Sequence, residues 1–267
     1  MTDTRPRIDL LDRHTPMIDA VTPEHHDRIV ALGGDLSPAR VRMAYARGIF
    51  PWGRMASGPL WWCPSPRAVF ATATTRPNTR ARRMLRAQDW HLDVDQAFDQ
   101  VIAACAAPRP NQAKDAAWLT PEVVAVFRRL HREGDAHSFE IWEGDALVGG
   151  LYGIAAGGIF SAESMFSRRA NASKAALWEA CRILSSWGVP WMDVQMANPH
   201  TQSLGVVHLD RPAFLEAVRR PRVWPADWRA ALPPEDGWLR RRTPHPNTAP
   251  SVPVHPQPAR PHAAHVT

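Results

Sequence analysis

An α+β fold is predicted by the order of the periodic segments. Amphipathic helices run to about residue 133, short strands broken by glycine turns follow, and one long helix and a last strand close the pattern. Composition agrees: 45% hydrophobic and 22% charged residues, with no apolar run long enough to cross a bilayer, predict a soluble chain of 267 residues with a substantial core.

The first element is Ser37-Pro38-Ala-Arg-Val-Arg-Met-Ala-Tyr-Ala-Arg47-Gly48. Ser37 caps the free amides of the first turn, Pro38 suits the first helical position, and Gly48 ends the helix in the left-handed region. The Gly33-Gly34 turn before it and Ile49-Phe50-Pro51-Trp52 after it predict a compact N-terminal unit over residues 1–66, its first twenty or so loosely held. Further helices are read over 79–87, over 95–106 with Phe98, Val101 and Ile102 on one face, and from Pro121, capped by Thr120, to Glu133. The period then changes. Residues 137–142, 146–155 and 158–164 alternate between turns in the manner of an antiparallel meander. A helix over 172–187, ended by Gly188, and a strand over 190–195 complete a second unit over 67–242. From 243 to 267 the chain is rich in Pro, His and Ala, too polar to offset its ordering entropy, and reads as a disordered tail.

Net charge of +6 and a pI near 10.0 permit a polyanionic partner. The charge is almost all arginine, Lys114 and Lys174 being the only lysines, which a GC-rich genome would also explain. Cys63, Cys105 and Cys181 are odd in number and far apart, so buried free thiols are expected rather than disulfides or a zinc knuckle. The N-terminus shows no secretory pattern, and a cytoplasmic protein is expected.

Three features carry chemistry. In a strand, Asp193 and Gln195 point to one face and Met192, Val194 and Met196 to the other, setting a carboxylate beside a carboxamide. A half-exposed strand with its polar side in water is the plainer reading of that spacing. Glu163 interrupts Phe160-Ser-Ala-Glu163-Ser-Met165-Phe166-Ser167, a run suited to a buried strand, where a carboxylate is costly unless paired or facing a ligand. An edge-strand Glu facing solvent fits equally. Trp52, Trp61, Trp62 and Trp118 lie outside the amphipathic helices, either as stacking platforms for a nucleobase or as ordinary packing. No phosphate-binding P-loop, nucleophile elbow or dinucleotide fingerprint occurs.

Taken together, Leu32-Gly-Gly-Asp-Leu-Ser-Pro38, Gly48-Ile-Phe-Pro-Trp52, Trp61-Trp62, Trp118-Leu-Thr120, Val148-Gly-Gly-Leu-Tyr-Gly153, Glu163-Ser-Met-Phe-Ser167, Asn171-Ala-Ser-Lys174 and Asp193-Val-Gln195 resemble the leucyl/phenylalanyl-tRNA protein transferases, collinearly from about residue 30 to 215. The resemblance implies a small N-terminal domain followed by a GNAT-like N-acyltransferase-fold domain. It also implies transfer of leucine, phenylalanine or, as a candidate, methionine from charged tRNA to proteins beginning with Arg or Lys, marking them for degradation. A monomer with no cofactor, metal, ATP or membrane partner is expected.

In family terms Trp52, Trp118 and Tyr45 correspond to the site of the terminal adenosine, and Leu151, Phe160, Met165 and Leu177 to the donor side-chain pocket. Arg80, Arg82, Arg83 and Arg86 correspond to a helix that meets tRNA phosphates, and Glu163, Asp193 and Gln195 to the catalytic centre. Glu163 is further expected to pair with the cationic acceptor, and Asp193 to orient Gln195. The acetyl-CoA-dependent relatives of the fold carry an Arg-x-x-Gly-x-Gly/Ala turn whose amides hold pyrophosphate; here Arg168-Arg-Ala-Asn171-Ala-Ser173 bears side chains instead, implying loss of coenzyme A. Ala117, Ala162 and Ala180 depart from common family residues and leave the pocket shape open. A coenzyme A-dependent acetyltransferase and a catalytically silent tRNA-binding module are the rival readings.

Overall fold

The computed structural model describes residues 6–108, 118–234 and 237–242; the predicted tail and Ala117 lie outside them. Four strands form the N-terminal sheet: β1 (Asp9–Leu11), β2 (Ile29–Gly33), β3 (Phe50–Met55) and β4 (Gly58–Trp62), in the order β1-β2-β4-β3. Between β2 and β3 lies α1 (Pro38–Tyr45), with Ser37 as N-cap and Pro38 at its first position, as the sequence predicts. Gly33 has φ near +97°, and a Cβ there would lie 2.2 Å from the Leu11 carbonyl oxygen, so glycine lets β1 approach β2.

Residues 9–17 are tied to the N-terminal sheet and α1. Strand β1 pairs with β2, and Met17 is almost fully buried. The buried Arg40 guanidinium donates to the carbonyl oxygens of Thr15, Asp12 and Arg13 at 2.7–3.2 Å. Those donors must be satisfied once out of water, and this segment supplies the acceptors.

Eight strands form the larger sheet: β5 (Arg67–Ala71), β6 (Trp90–Val94), β7 (Ala136–Glu143), β8 (Ala146–Ala156), β9 (Ile159–Ser167), β10 (Trp191–Asp193), β11 (Val207–Leu209) and β12 (Arg240–Arg241). Their order is β11-β5-β10-β9-β8-β7-β6-β12. The helices are α2 (Thr79–Arg86), α3 (Phe98–Ala106), α4 (Pro121–Arg132), α5 (Ala172–Ser186), α6 (Pro199–Ser203) and α7 (Arg211–Arg219). The expected succession of two helices, a three-stranded meander, a long helix and a strand is therefore present as α3, α4, β7–β9, α5 and β10. This is the α+β arrangement that the sequence implies.

Two apolar clusters line the two faces of the sheet. Tyr152 and Ile154 of β8 join α3, α4, α7 and the N-terminal sheet in one, while Leu151 joins α5 and α2 in the other. All three cysteines are buried free thiols. Residues 237–242 strap the outside of the second cluster: Leu239 N–H donates to the buried Glu179 carboxylate at 2.7 Å, and β12 pairs with β6.

Candidate active site

The site opens where two parallel strands part. Strands β9 and β10 pair only at Phe160–Met192 and Ser161–Asp193, after which the chains separate. On the other side of β9 the ladder to β8 runs from Tyr152–Ser164 directly to Gly153–Ala162, leaving Glu163 as the extra residue of a β-bulge. Gly153 makes this possible, since a Cβ there would lie 2.2 Å from the Ser161 carbonyl oxygen. The bulge turns Glu163 into the gap between the strands.

The expectation that Asp193 and Gln195 stand side by side on one strand face is corrected. Strand β10 ends at Asp193, and Gln195 takes φ near +58°, a left-handed conformation unusual for a residue with a side chain. The fully buried Asp193 carboxylate accepts the Gln195 backbone N–H at 2.9 Å. The Gln195 carboxamide turns the other way, donating to Glu163 Oε1 and to the Ala162 carbonyl oxygen, both at 3.1 Å.

The sequence reading did not single out Arg67, the principal partner of Asp193. From the start of β5 its Nε and Nη2 reach the two carboxylate oxygens at 2.8 and 2.7 Å, and both side chains are almost wholly buried. Ser161 Oγ donates to the same carboxylate at 2.9 Å. Burial would lower the Arg67 pKa, but the adjacent carboxylate raises it above its ordinary value. The signal was an arginine opening the otherwise apolar Arg67-Ala-Val-Phe-Ala71, a charge that burial tolerates only with a partner.

Glu163 is half-buried, with its open side toward the gap. Burial pushes its pKa up to about 8, aided by the Asp193 charge and opposed by the Tyr45 hydroxyl and by Arg67. A pKa near 8 favours the protonated carboxyl at neutral pH, and a cation bound beside it would favour release of the proton. Tyr45 is 2% exposed, beneath Glu163 and edge-on to Phe127, and lines neither cavity described below. So deeply buried a ring does not offer the face that the expected contact with adenosine would need.

A cavity of about 670 Å³ fills the gap, and Leu151, Met165 and Leu177 line it as expected. Phe160 does not. Its ring is fully buried deeper in the same apolar cluster as Leu151 and Leu177, 5.7 Å from those of Phe139 and Trp228, and does not reach the cavity wall. Cys105 and Ala106 of α3, Asn198 at the cap of α6 and His200 within it also line the cavity, none of them foreseen. Burial and nearby Lys174 lower the His200 pKa.

A second cavity, of about 150 Å³, lies between Trp52 and Trp118. The two cavities share Trp118, Glu163, Val194 and Gln195, so the aromatic slot and the apolar pocket adjoin at the Glu163–Gln195 hydrogen bond. Trp52 is 40% exposed and braced edge-on by Trp62 at 5.1 Å.

Three of the four helix arginines, Arg80, Arg83 and Arg86, are exposed on α2. Arg82 is engaged locally, donating to the Pro77 carbonyl oxygen at 3.0 Å with its guanidinium over Trp238. At the start of α5, Asn171 holds φ near +71° without capping through its side chain. The Ala172 amide is taken by Arg169 O and the Ser173 amide by Ser167 Oγ, both at 3.1 Å. Among the described residues no His, Cys, Asp and Glu cluster is placed to hold a metal, and no helix is long and apolar enough to cross a membrane.

Comparison with known proteins adds to this geometry. The family model for the leucyl/phenylalanyl-tRNA protein transferase matches residues 69–219, and that for the N-terminal domain of the same transferase matches 34–65. A leucyl/phenylalanyl-tRNA–protein transferase of Shewanella sp. (strain W3-18-1) is 44% identical over 203 residues, covering 75% of this chain and 85% of that protein. One of Xanthomonas euvesicatoria pv. vesicatoria (strain 85-10) is 49% identical over 195 residues, covering 73% and 77%. Among solved structures, a GCN5-related N-acetyltransferase from Kribbella flavida is 14% identical with a TM-score of 0.34, covering 62% of this chain and 58% of that one.

Proposed function

We infer the reaction from a membership that these matches establish: the chain belongs to the leucyl/phenylalanyl-tRNA protein transferase family. It is an aminoacyltransferase. We propose that it moves leucine, phenylalanine and, as a third donor, methionine from tRNA to the α-amine of proteins beginning with Arg or Lys, marking them for degradation. The observation that carries the reading is the adjoining pair of cavities. It has the layout of an aminoacyl-adenosine: a base between Trp52 and Trp118, an ester at Glu163 and Gln195, and an apolar side chain against Leu151, Met165 and Leu177.

The ester is already activated, so the protein has to bring a neutral amine to its carbonyl carbon and hold the developing charge. The new C–N bond forms, the C–O bond to the terminal ribose breaks, and the amine proton ends on the ribose oxygen. The Gln195 carboxamide holds the ester or amine. Glu163, with a pKa of about 8 close to that of an α-amine, relays the proton with little energetic penalty. Asp193 has its acceptors committed to Arg67, Ser161 and the Gln195 amide, so its assigned role is positioning. Arg80, Arg83 and Arg86 are the proposed phosphate contacts, and the domain boundary is put near residue 66, between the two sheets.

The rival use of coenzyme A is disfavoured by the amides of Ala172 and Ser173, which are already hydrogen-bonded within the chain. Label transfer decides among the readings. The protein is mixed with Leu-tRNA or acetyl-CoA and peptides beginning with Arg, Lys or Ala. Transfer from Leu-tRNA to the Arg and Lys peptides is expected; transfer from acetyl-CoA alone, or tRNA binding without transfer, overturns the proposal.

A further inference from the structure

We propose that Arg67 is a positioning residue for aminoacyl transfer: its guanidinium registers the aromatic slot of the N-terminal sheet against Gln195. This deepens the functional reading above and rests on it.

Arg67 faces two ways. Toward the larger sheet, its fork holds both oxygens of Asp193, and Asp193 Oδ1 in turn accepts the Gln195 amide at 2.9 Å. The neighbouring Ala68 amide donates to the Gln195 carbonyl oxygen at 3.2 Å, so β5 holds the Gln195 backbone directly at its carbonyl and, through Arg67 and Asp193, at its amide. A residue at φ near +58° costs energy that such over-determination offsets. Toward the N-terminal sheet, Arg67 Nη1 donates to the Gly48 carbonyl oxygen at 3.2 Å. The guanidinium also lies 4.7 Å from the centre of the Phe50 ring and 4.3 Å from that of Phe214. Phe50 is two residues from Trp52 on β3. One planar cation thus touches the strand that carries the proposed base platform and the carboxylate that fixes the proposed transfer residue.

Lysine keeps the charge and loses the fork. A buried ion pair is weak evidence for a stabilising device, because an apolar pair of like volume often serves as well. Here the geometry of the pair has a separate use, since one end touches Phe50 of the aromatic slot and the other holds the Gln195 amide.

The test is a double-mutant cycle on the full chain with Leu-tRNA and an Arg-initiated peptide. Arg67→Lys is expected to lower kcat at least tenfold, with the KM for Leu-tRNA within about threefold and the melting temperature little changed. Gln195→Ala should then cost far less in the Arg67→Lys background than in the wild type, because Gln195 is already displaced. Equal, additive costs would overturn the proposal, a result that a purely structural Arg67 would give.

A crystal structure of Arg67→Lys gives a second readout that needs no activity. Gln195 leaving the left-handed region supports the proposal, and Gln195 unmoved overturns it. A wild-type protein that transfers nothing from Leu-tRNA sinks the functional reading instead, and the Gln195 position still decides this one. Should Arg67→Lys fail to fold, Ser161→Ala, which removes another donor to Asp193, is put through the same cycle with the same two outcomes.

Discussion

Glu140 on β7 and Glu163 on β9 are both carboxyls that burial pushes up to about 8, but the protein surrounds them in opposite ways. Glu140 is fully buried and saturated: the Ala97 amide, Ser138 Oγ and Trp142 Nε1 all donate to it, at 2.7, 2.9 and 3.3 Å. Ala97 heads α3 and has no side-chain cap of its own, so Glu140 supplies one from the sheet. Glu163 is displaced by a bulge into a cavity and shares its hydrogen bond with a movable carboxamide. A perturbed carboxyl is therefore not by itself a functional signal; an open face and a partner able to exchange make the difference.

That contrast can be broken from either side, and the largest effect should come from the sealed carboxyl. Glu140→Ala strands three donors and opens a void, so a loss of about 3 kcal/mol in denaturant unfolding is expected, with transfer per folded molecule unchanged. A folded but inactive variant would void the comparison. The pH dependence has a definite sign. The folded carboxyl keeps its proton up to about 8, while an ordinary one releases it near 4.5. The native state thus binds the extra proton between those values, and the stability it contributes is lost as pH rises through them. Glu140→Gln should flatten that fall.

Glu163→Gln should do the reverse, lowering transfer about 100-fold, equivalent to about 2.7 kcal/mol, while the melting temperature hardly moves. Below pH 7 the log of the wild-type rate should rise with a slope near two, one proton from the amine and one from Glu163; in Glu163→Gln the slope should drop toward one. An unchanged profile would remove Glu163 from the proton path. Next in size, Trp52→Ala should raise the KM for aminoacyl-tRNA about tenfold with kcat nearly kept, within the 1–3 kcal/mol usual for a stacked base. The smallest effect at fixed salt is expected on α2. Replacing Arg80, Arg83 and Arg86 by Gln should reduce the salt dependence of tRNA binding by about two units of slope, and Arg82→Gln should leave it alone.

The sequence displayed what depends on local chemistry. Ser37, Pro38 and Gly48 bounded α1, and the glycine turns marked the meander, because caps and turns act over a few residues. Trp118, Met165 and Leu177 were visible as members of a motif and do line the larger cavity. Strands β5, β6 and β11 were not anticipated, since each is short and owes its state to neighbours distant in sequence. The same reason hid Arg67, whose partner lies 126 residues away. Tyr45 and Phe160 were matched to ligand sites by motif, but side-chain direction depends on register, which a motif does not carry. Gln195 was misjudged on similar grounds: a period of two assumes that the strand continues, and here it stops at Asp193.

The bulge at Glu163 makes the site depend on a count as well as on identity. Removing any one of Ala162, Glu163 and Ser164 would let β8 and β9 zip in regular register and would keep nearly every side chain in the protein. The ladder would keep all its pairs and become regular, while the carboxyl would leave the cavity or be lost. A deletion that improves the sheet would thus erase the chemistry, so among relatives the spacing from Gly153 to Glu163 should tolerate substitution more readily than a change in length.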